Sequence, residues 1–192
     1  MTSRYDDELW ELVPEEPGPP PRTLVEFVRS LESAGNALDL GCGDGRLGAE
    51  LRADRLVAAD VSAVALARAR TRLPGAELVE LEPDAPLPLG DSEFDLVLLA
   101  ETIEHVRDVQ LLLSELRRVL RPGGRVAITT PAHGRLTGLA ILARGFEPGF
   151  DPLSPHLRFL TRRSLAALLD GLGFEVRSLE RRAGKLLALA TR

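Results

Sequence analysis

A glycine-rich stretch that contains two acids is the first candidate for a site where a ligand comes close to the backbone. The segment "ALDLGCGDGRLG", Ala37–Gly48, holds four glycines and two aspartates. Glycine loses more conformational freedom on folding than any other residue, so such a run indicates a loop whose backbone must come close to something else. Gly43, Gly45 and Gly48 spell the G-x-G-x-x-G pattern of dinucleotide sites, and Asp60 follows where a ribose-binding acid belongs. Taken alone, this pattern does not decide between ligand classes.

Three histidines are the candidates for proton transfer, because imidazole is the side chain that titrates nearest neutral pH. His105 ends the string "ETIEH" after a predicted strand, His133 follows the next strand, and His156 lies in a proline-rich loop. We take all three as candidate catalytic residues. Cys42 is the only cysteine, which excludes an intrachain disulfide and a cysteine-based metal cage.

Short apolar runs alternate with helical patterns along most of the chain. This alternation predicts right-handed βαβ crossovers, and hence an α/β, Rossmann-like, doubly wound and mostly parallel sheet. The last two strands are joined by a link too short for a crossover, so we expect an antiparallel C-terminal hairpin. The seven predicted strands are 37–40, 55–60, 76–81, 94–100, 125–130, 174–181 and 185–191. Ligands bind at the carboxyl ends of such strands, where the glycine run lies.

Helical periodicity predicts the connecting elements. The first helix is expected to run from Thr23 as N-cap to Gly35 as its stop, and a short helix from about Arg46 to Arg52. The further predicted helices are 62–73, 109–120, 132–145 and 161–173. The helix and the long loop that follow the fifth strand are expected to form a pocket for a second substrate.

Residues 1–21 are expected to form an acidic, proline-rich arm ahead of a single domain over residues 22–192. The string "PEEPGPPP" cannot continue a helix or a central strand. The arm nevertheless contains Tyr5 and Trp10, the only tyrosine and the only tryptophan, which a wholly disordered tail would not need. It is therefore either an anchor packed on the body or a lid over a bound ligand.

Composition bounds the class of protein. The 192 residues are 44% hydrophobic, enough for one sizeable core. There is no apolar run of about 18 residues, so we expect a cytoplasmic protein without a membrane span. Residues 121–192 hold twelve basic and five acidic side chains, a net charge of +7. This asymmetry fits either an anionic partner or an ordinary solvated surface, and the oligomeric state is not predicted.

Four strings, in order, resemble the motifs of the class I S-adenosylmethionine-dependent methyltransferases. "LDLGCGDG" resembles the first motif of that family, "AADVS" the second, "FDLVLLAETIEHVRD" the fourth and "LRPGGRVAITTP" the fifth. The resemblance covers Leu38 to Pro131 and implies S-adenosyl-L-methionine as cofactor and methyl transfer as reaction. The cofactor-binding residues that it implies are Asp39, Gly41, Cys42, Gly43, Asp60, Val61, Asp84, Ala85 and Ala100.

The chemistry of this cofactor suits those residue types. It has a ribose diol, an adenine, a sulfonium cation and a zwitterionic amino-acid tail, but no phosphate. Gly41 and Gly43 would let the backbone approach the tail, and Asp39 would attract its ammonium group. Asp60 can accept both ribose hydroxyls, and Asp84 the amino group of adenine.

The acceptor is expected to be a small molecule that is methylated on oxygen. "ETIEHV" with "HLRFLTRRSLAALLDGLGF" resembles the O-methyltransferases of quinone biosynthesis and their relatives. The chain also resembles small-RNA 3′-terminal 2′-O-methyltransferases, in which two glutamates and two histidines bind a divalent metal. The matching positions are Glu101, Glu104, His105 and His156. We expect no metal, because E-x-x-E-H is widespread among methyltransferases, and no nucleic-acid partner, because the sequence shows no added RNA-binding domain. RNA methylation with a metal, and a non-catalytic cofactor-binding protein, stay as alternatives.

Overall fold

Seven strands form one sheet in the computed structural model, which describes residues 3–145 and 156–192. They are β1 (Ala34–Leu40), β2 (Ala53–Asp60), β3 (Glu77–Glu80), β4 (Phe94–Ala100), β5 (Leu120–Pro131), β6 (Glu175–Arg182) and β7 (Lys185–Thr191). Their order across the sheet is β3-β2-β1-β4-β5-β7-β6. The first five strands are parallel, and β7 is antiparallel to β5 and β6. The predicted fold class is confirmed.

Six α-helices accompany these strands in the described ranges. They are α1 (Ser3–Leu12), α2 (Arg22–Ser30), α3 (Ala63–Arg72), α4 (Val109–Val119), α5 (Arg135–Arg144) and α6 (Arg162–Gly171). None of them is long and apolar enough to cross a bilayer.

Side-chain caps set where three of the helices begin. Ser62 Oγ accepts a hydrogen bond from Ala65 N at 3.1 Å at the start of α3, and Asp108 Oδ1 accepts from Leu111 N at 2.8 Å at the start of α4. Thr161 caps α6, as predicted. These caps satisfy backbone N–H groups that have no partner within the helix. They also fix the ends of the loops that follow β2 and β4.

Helices cover both faces of the sheet, because successive residues of a strand point to opposite faces. The apolar cluster on one face includes Leu38, Val97, Ile128, Leu113, Leu116, Leu165 and Leu169. The cluster on the other face includes Val28, Leu31, Leu96, Leu98 and Ala127. The central strands are thus buried on both sides, as expected for a parallel sheet.

The strand order reverses beside β1, which lies between β2 and β4. Connections leave β1 and β4 in opposite directions there and open a crevice at the carboxyl edge. Leu40, Asp60 and Ala100 end the three strands that border it.

The predicted bounds of the first helix are wrong at both ends. α2 begins after Pro21, so Thr23 lies inside the helix, and it ends at Ser30. Gly35 does not stop a helix but lies in β1, whose pairing with β2 already begins at Ala34. Strand pairing requires an extended backbone there, which decides against the local helical pattern.

The helix predicted from Arg46 to Arg52 is also wrong. Only a 3-10 turn, Gly48–Glu50, forms, and Leu51 is already extended. β2 pairs with β1 from Ala53 onward, so few residues remain for a helix. Conversely, α1 forms within the arm, where no helix is predicted. Much of the predicted substrate loop, residues 146–155, lies outside the described residues.

Candidate active site

A cavity of about 330 Å³ opens at the carboxyl ends of β1, β2 and β4. This volume suits a small ligand. Its wall combines the loop after β1, the end of β2, the turn after β3 and the segment after β4. The predicted site residues that line it are Gly41, Gly43, Asp60, Val61, Asp84, Ala85 and His105. Those that do not line it are Asp39, Cys42, Ala100, His133 and His156.

Two glycines of the loop have left-handed backbone conformations and closely packed neighbours. Gly41 has φ of 71°, and a Cβ added to it would lie 2.4 Å from Thr102 Oγ1. Gly43 has φ of 54°, and an added Cβ would lie 2.6 Å from Trp10 Cζ2. Both the dihedral angles and the contacts therefore require glycine. The side chains of Thr102 and Trp10 occupy the space that a Cβ would need at these two glycines.

Asp60 joins the glycine loop to the helix that follows β2. Its Oδ2 accepts from Gly43 N at 2.8 Å, and its Oδ1 accepts from Ser62 N at 3.0 Å. Burial raises the pKa of Asp60, while these two N–H donors act in the opposite direction. Each carboxylate oxygen has a second lone pair, so Asp60 can still accept from a ligand hydroxyl.

Asp39 is buried behind the loop, with 1% of its surface exposed. Its Oδ2 has no hydrogen-bond partner among the described residues. Burial, and then the charge of Asp60, raises the pKa of Asp39 to about 7. Cys42 is buried as well, and burial raises the pKa of its thiol, so it is unsuited to nucleophilic chemistry. The cofactor roles of Asp39 and Cys42 stay predictions.

The turn after β3 and the end of β4 complete the wall. Asp84 has φ of 58°, and its Oδ2 lies 3.5 Å from Arg107 Nη1. Thr102 Oγ1 donates to the carbonyl oxygen of Ala100 at 3.0 Å. The resemblance implies that this carbonyl accepts from the cofactor's ammonium, and that role stays a prediction too.

Two of the three candidate histidines contact each other, and the third contacts Phe159. The rings of His105 and His156 are 4.8 Å apart between centroids. The ring of His133 contacts that of Phe159 edge to face at 5.0 Å, and its backbone N–H donates to Leu160 O. Burial, and then the charge of His156, lowers the pKa of His133. Burial, and then the charge of His105, lowers the pKa of His156. Both imidazoles are therefore neutral over a wider pH range than usual.

Known proteins match this chain in sequence. A family model described as "Methyltransferase domain" matches residues 38–128. A relative from Mycolicibacterium smegmatis, named "Probable S-adenosylmethionine-dependent methyltransferase", is 39% identical over 146 residues, which are 73% of this chain and 52% of the relative. The malonyl-(acyl-carrier protein) O-methyltransferase of Enterobacter lignolyticus is 36% identical over 138 residues, which are 70% of this chain and 53% of that protein. Residues 38–128 thus match a methyltransferase domain, and the chain is similar to proteins named S-adenosylmethionine-dependent methyltransferases.

A solved structure has a similar fold. An S-adenosylmethionine-dependent methyltransferase from Mesorhizobium loti superposes with a TM-score of 0.66 and 22% identity over 88% of this chain and 96% of that one. The chain spans about half the length of the curated relatives it matches.

Glu104 adds a buried carboxyl beside His105 and His156. Its Oε2 accepts from Thr130 Oγ1 at 3.0 Å, and its Oε1 has no partner among the described residues. Burial, followed by the charge of Glu101, raises the pKa of Glu104 to about 7. One potential ligand atom each from Glu104, His105 and His156 lies within 4.8 Å of the others.

Glu101, the fourth position that matches the metal ligands of the RNA methyltransferases, interacts with other side chains. It forms an ion pair with Lys185 and accepts from Thr129 Oγ1 at 3.0 Å. Lys185 is the only lysine of the chain, and this was the sequence feature that could have drawn attention to it. Only the fold shows that β7 brings Lys185 beside the end of β4. Sequence reasoning also missed Asp6 and Thr102 as parts of the cavity wall.

Proposed function

We propose that this protein transfers a methyl group from S-adenosylmethionine to an oxygen atom of a small molecule. The observation that carries the proposal is that His105 lines the same cavity as Gly41, Gly43 and Asp60. A candidate base therefore lies beside the residues expected to hold the cofactor. The relative from Enterobacter lignolyticus, named an O-methyltransferase, supports oxygen as the acceptor atom.

The donor set of the cavity fits the cofactor. The wall carries Asp6, Asp60 and Asp84, which suit a ligand with two cationic groups and hydroxyls and disfavour a phosphate. Asp60 would hold the ribose, and Asp84 with Ala85 the adenine. The glycine loop would face the amino-acid tail.

When bound, S-adenosylmethionine supplies a methyl group on a sulfonium that departs as a neutral thioether. The protein then has two tasks: to align the acceptor with that methyl group and to remove the acceptor's proton. We assign proton removal to His105. His133 and His156, neutral because burial lowers their pKa values, would orient the acceptor or pass the proton on.

Cofactor selectivity is the first test of the proposal. S-adenosylmethionine and S-adenosylhomocysteine should raise the melting temperature, because a ligand stabilises the state that it binds. Nicotinamide dinucleotides should not. The reverse selectivity would contradict the cofactor assignment for this chain.

Turnover is the second test, measured by mass spectrometry with isotopically labelled cofactor and a panel of phenols and carboxylic acids. His105→Ala should lower turnover by about 10² to 10⁴ while the dissociation constant of S-adenosylmethionine stays the same. Unchanged turnover would mean that His105 is not the base. Cofactor binding without turnover on any acceptor would favour a non-catalytic protein.

The cluster of Glu104, His105 and His156 favours a second candidate, an RNA 2′-O-methyltransferase that uses a divalent metal. Carboxylate and imidazole ligands suit manganese or magnesium, which would lower the pKa of an acceptor hydroxyl. Under this alternative a chelator abolishes activity and manganese restores it. RNA binding would also weaken steeply with added salt. Activity that is insensitive to chelation excludes this candidate.

A further inference from the structure

The first helix, α1, forms one side of the cavity. Asp6, Leu9 and Trp10 line it. Their spacing of three and four residues places them on one face of the helix. Glu8 is exposed and pairs with Arg4 at 3.1 Å, so it lies away from the cavity. One face of the arm is thus directed at the ligand space.

Asp7 connects α1 to the start of α3 through two hydrogen bonds, and we call this contact the Asp7 latch. Asp7 Oδ1 accepts from Ser62 Oγ at 2.6 Å and from Val64 N at 3.2 Å. The hydrogen bond from Ser62, and then that from Val64, lowers the pKa of Asp7, so it is charged at neutral pH. A negative charge at a helix N-terminus is also favoured by the helix dipole. The latch lies next to Asp60, which ends β2.

Trp10 and the chain after it make a second attachment. The Trp10 ring packs against Gly43, and the guanidinium carbon of Arg68 lies 5.8 Å from the ring centroid. Arg68 Nη1 donates to Val13 O at 3.0 Å, and Arg46 Nη1 donates to the carbonyl of residue 18 at 2.7 Å. The arm is therefore held by the glycine loop and by α3, the two elements that border the cofactor's expected position.

The cavity side of α1 adds negative charge to a wall that is already acidic. Burial, and then the charge of Asp7, raises the pKa of Asp6, and Asp84 contributes in the same direction. Carboxylates brought together in this way are unfavourable unless a cation lies among them. S-adenosylmethionine brings two cationic groups, a sulfonium and an ammonium, and an aromatic adenine.

We propose that α1 is a wall of the cofactor site, in which Asp6 and Trp10 contact S-adenosylmethionine and the Asp7 latch controls its exchange. This inference rests on the proposed function only for the identity of the cofactor. It concerns affinity and exchange, whereas the methyl transfer of the proposed function is judged by turnover. A chain that binds the cofactor but methylates nothing would still test it.

The affinity test compares S-adenosylmethionine titrations, by calorimetry, of the full chain and its variants. Asp6→Asn and Trp10→Ala should each weaken binding by about tenfold, the scale of a lost charged or aromatic contact. Glu8→Gln, which changes an acid on the outer face of the same helix, should bind like the unmodified protein. Trp10→Phe keeps an aromatic ring and should lose less affinity than Trp10→Ala.

The exchange test follows cofactor dissociation by stopped flow. Trp10, the only tryptophan, reports directly on the arm. Asp7→Ala removes the acceptor of both latch hydrogen bonds and should raise the dissociation rate by about tenfold. Glu8→Gln again serves as the control.

Two results would overturn the proposal. In the first, Asp6→Asn, Trp10→Ala and Asp7→Ala are all folded, as their melting temperatures show, and yet bind and release the cofactor like the unmodified protein. Alternatively, Trp10→Ala binds more tightly, which would mean that the helix obstructs the site. If Trp10→Ala does not fold, Trp10→Phe and Asp6→Asn decide the question.

Discussion

Asp39→Asn should make the unliganded protein more stable at alkaline pH. Asp39 is buried, its Oδ2 has no partner among the described residues, and its pKa is raised from 3.8 to about 7. Burial is the main cause, and the charge of Asp60 is the second. Asparagine keeps the shape of the side chain and removes its charge.

The direction and size of the effect follow from this raised pKa. Below the unfolded-state value the carboxyl is protonated in both states and the folded protein is not penalised. As pH rises toward about 7, the unfolded chain releases its proton and the folded chain keeps it, so stability falls by about 1.4 kcal/mol per pH unit. The full difference of about three units corresponds to about 4 kcal/mol. Because the buried amide N–H group that Asn introduces costs about 1–3 kcal/mol, a net gain of about 1–3 kcal/mol remains at about pH 8.

Urea unfolding of the unliganded protein between about pH 5 and about pH 8 measures this effect. The stability of Asp39→Asn relative to the unmodified protein should rise with pH and level off above about 7. Asp170→Asn makes the same chemical change at an exposed position of α6 and should show no such trend. A difference between Asp39→Asn and the unmodified protein that stays constant with pH would refute the reasoning.

Two further substitutions test the loop. Asp60→Ala should weaken S-adenosylmethionine binding by about 1–3 kcal/mol in calorimetry. The substitution removes the expected acceptor of the ribose hydroxyls and leaves the N–H groups of Gly43 and Ser62 without their acceptor. Unchanged affinity would place the ribose elsewhere. Gly41→Ala should destabilise the fold in urea by about 2–4 kcal/mol, from the left-handed φ and the contact with Thr102. Adding Thr102→Ala should recover the part due to contact and leave the backbone strain, and no recovery would show that the contact is unimportant.

Local patterns were sufficient for much of the fold and for placing the glycine loop and Asp60 at the same edge of the sheet. Apolar runs of strand length that alternate with helical periods predict a parallel sheet. This prediction does not require knowing which face each strand buries, because strand pairing and the right-handed crossover follow the same rules in all such folds. The glycine string after β1 and Asp60 after β2 could be placed together because parallel strands end at one edge. Asp84 and His105 lie in the segments that follow β3 and β4, and their positions on the wall are consistent with the same rule.

Contacts between distant segments were decided only by the tertiary structure. Gly35 ends a helical pattern in the sequence but lies in β1, because strand pairing outweighs local propensity. His156 meets His105, and Lys185 meets Glu101, across separations that no periodicity encodes. No sequence pattern predicts which part of the protein the acidic and aromatic residues of the arm contact. Their position over the glycine loop depends on hydrogen bonds between Asp7 and the start of α3, which is more than 50 residues further along the chain.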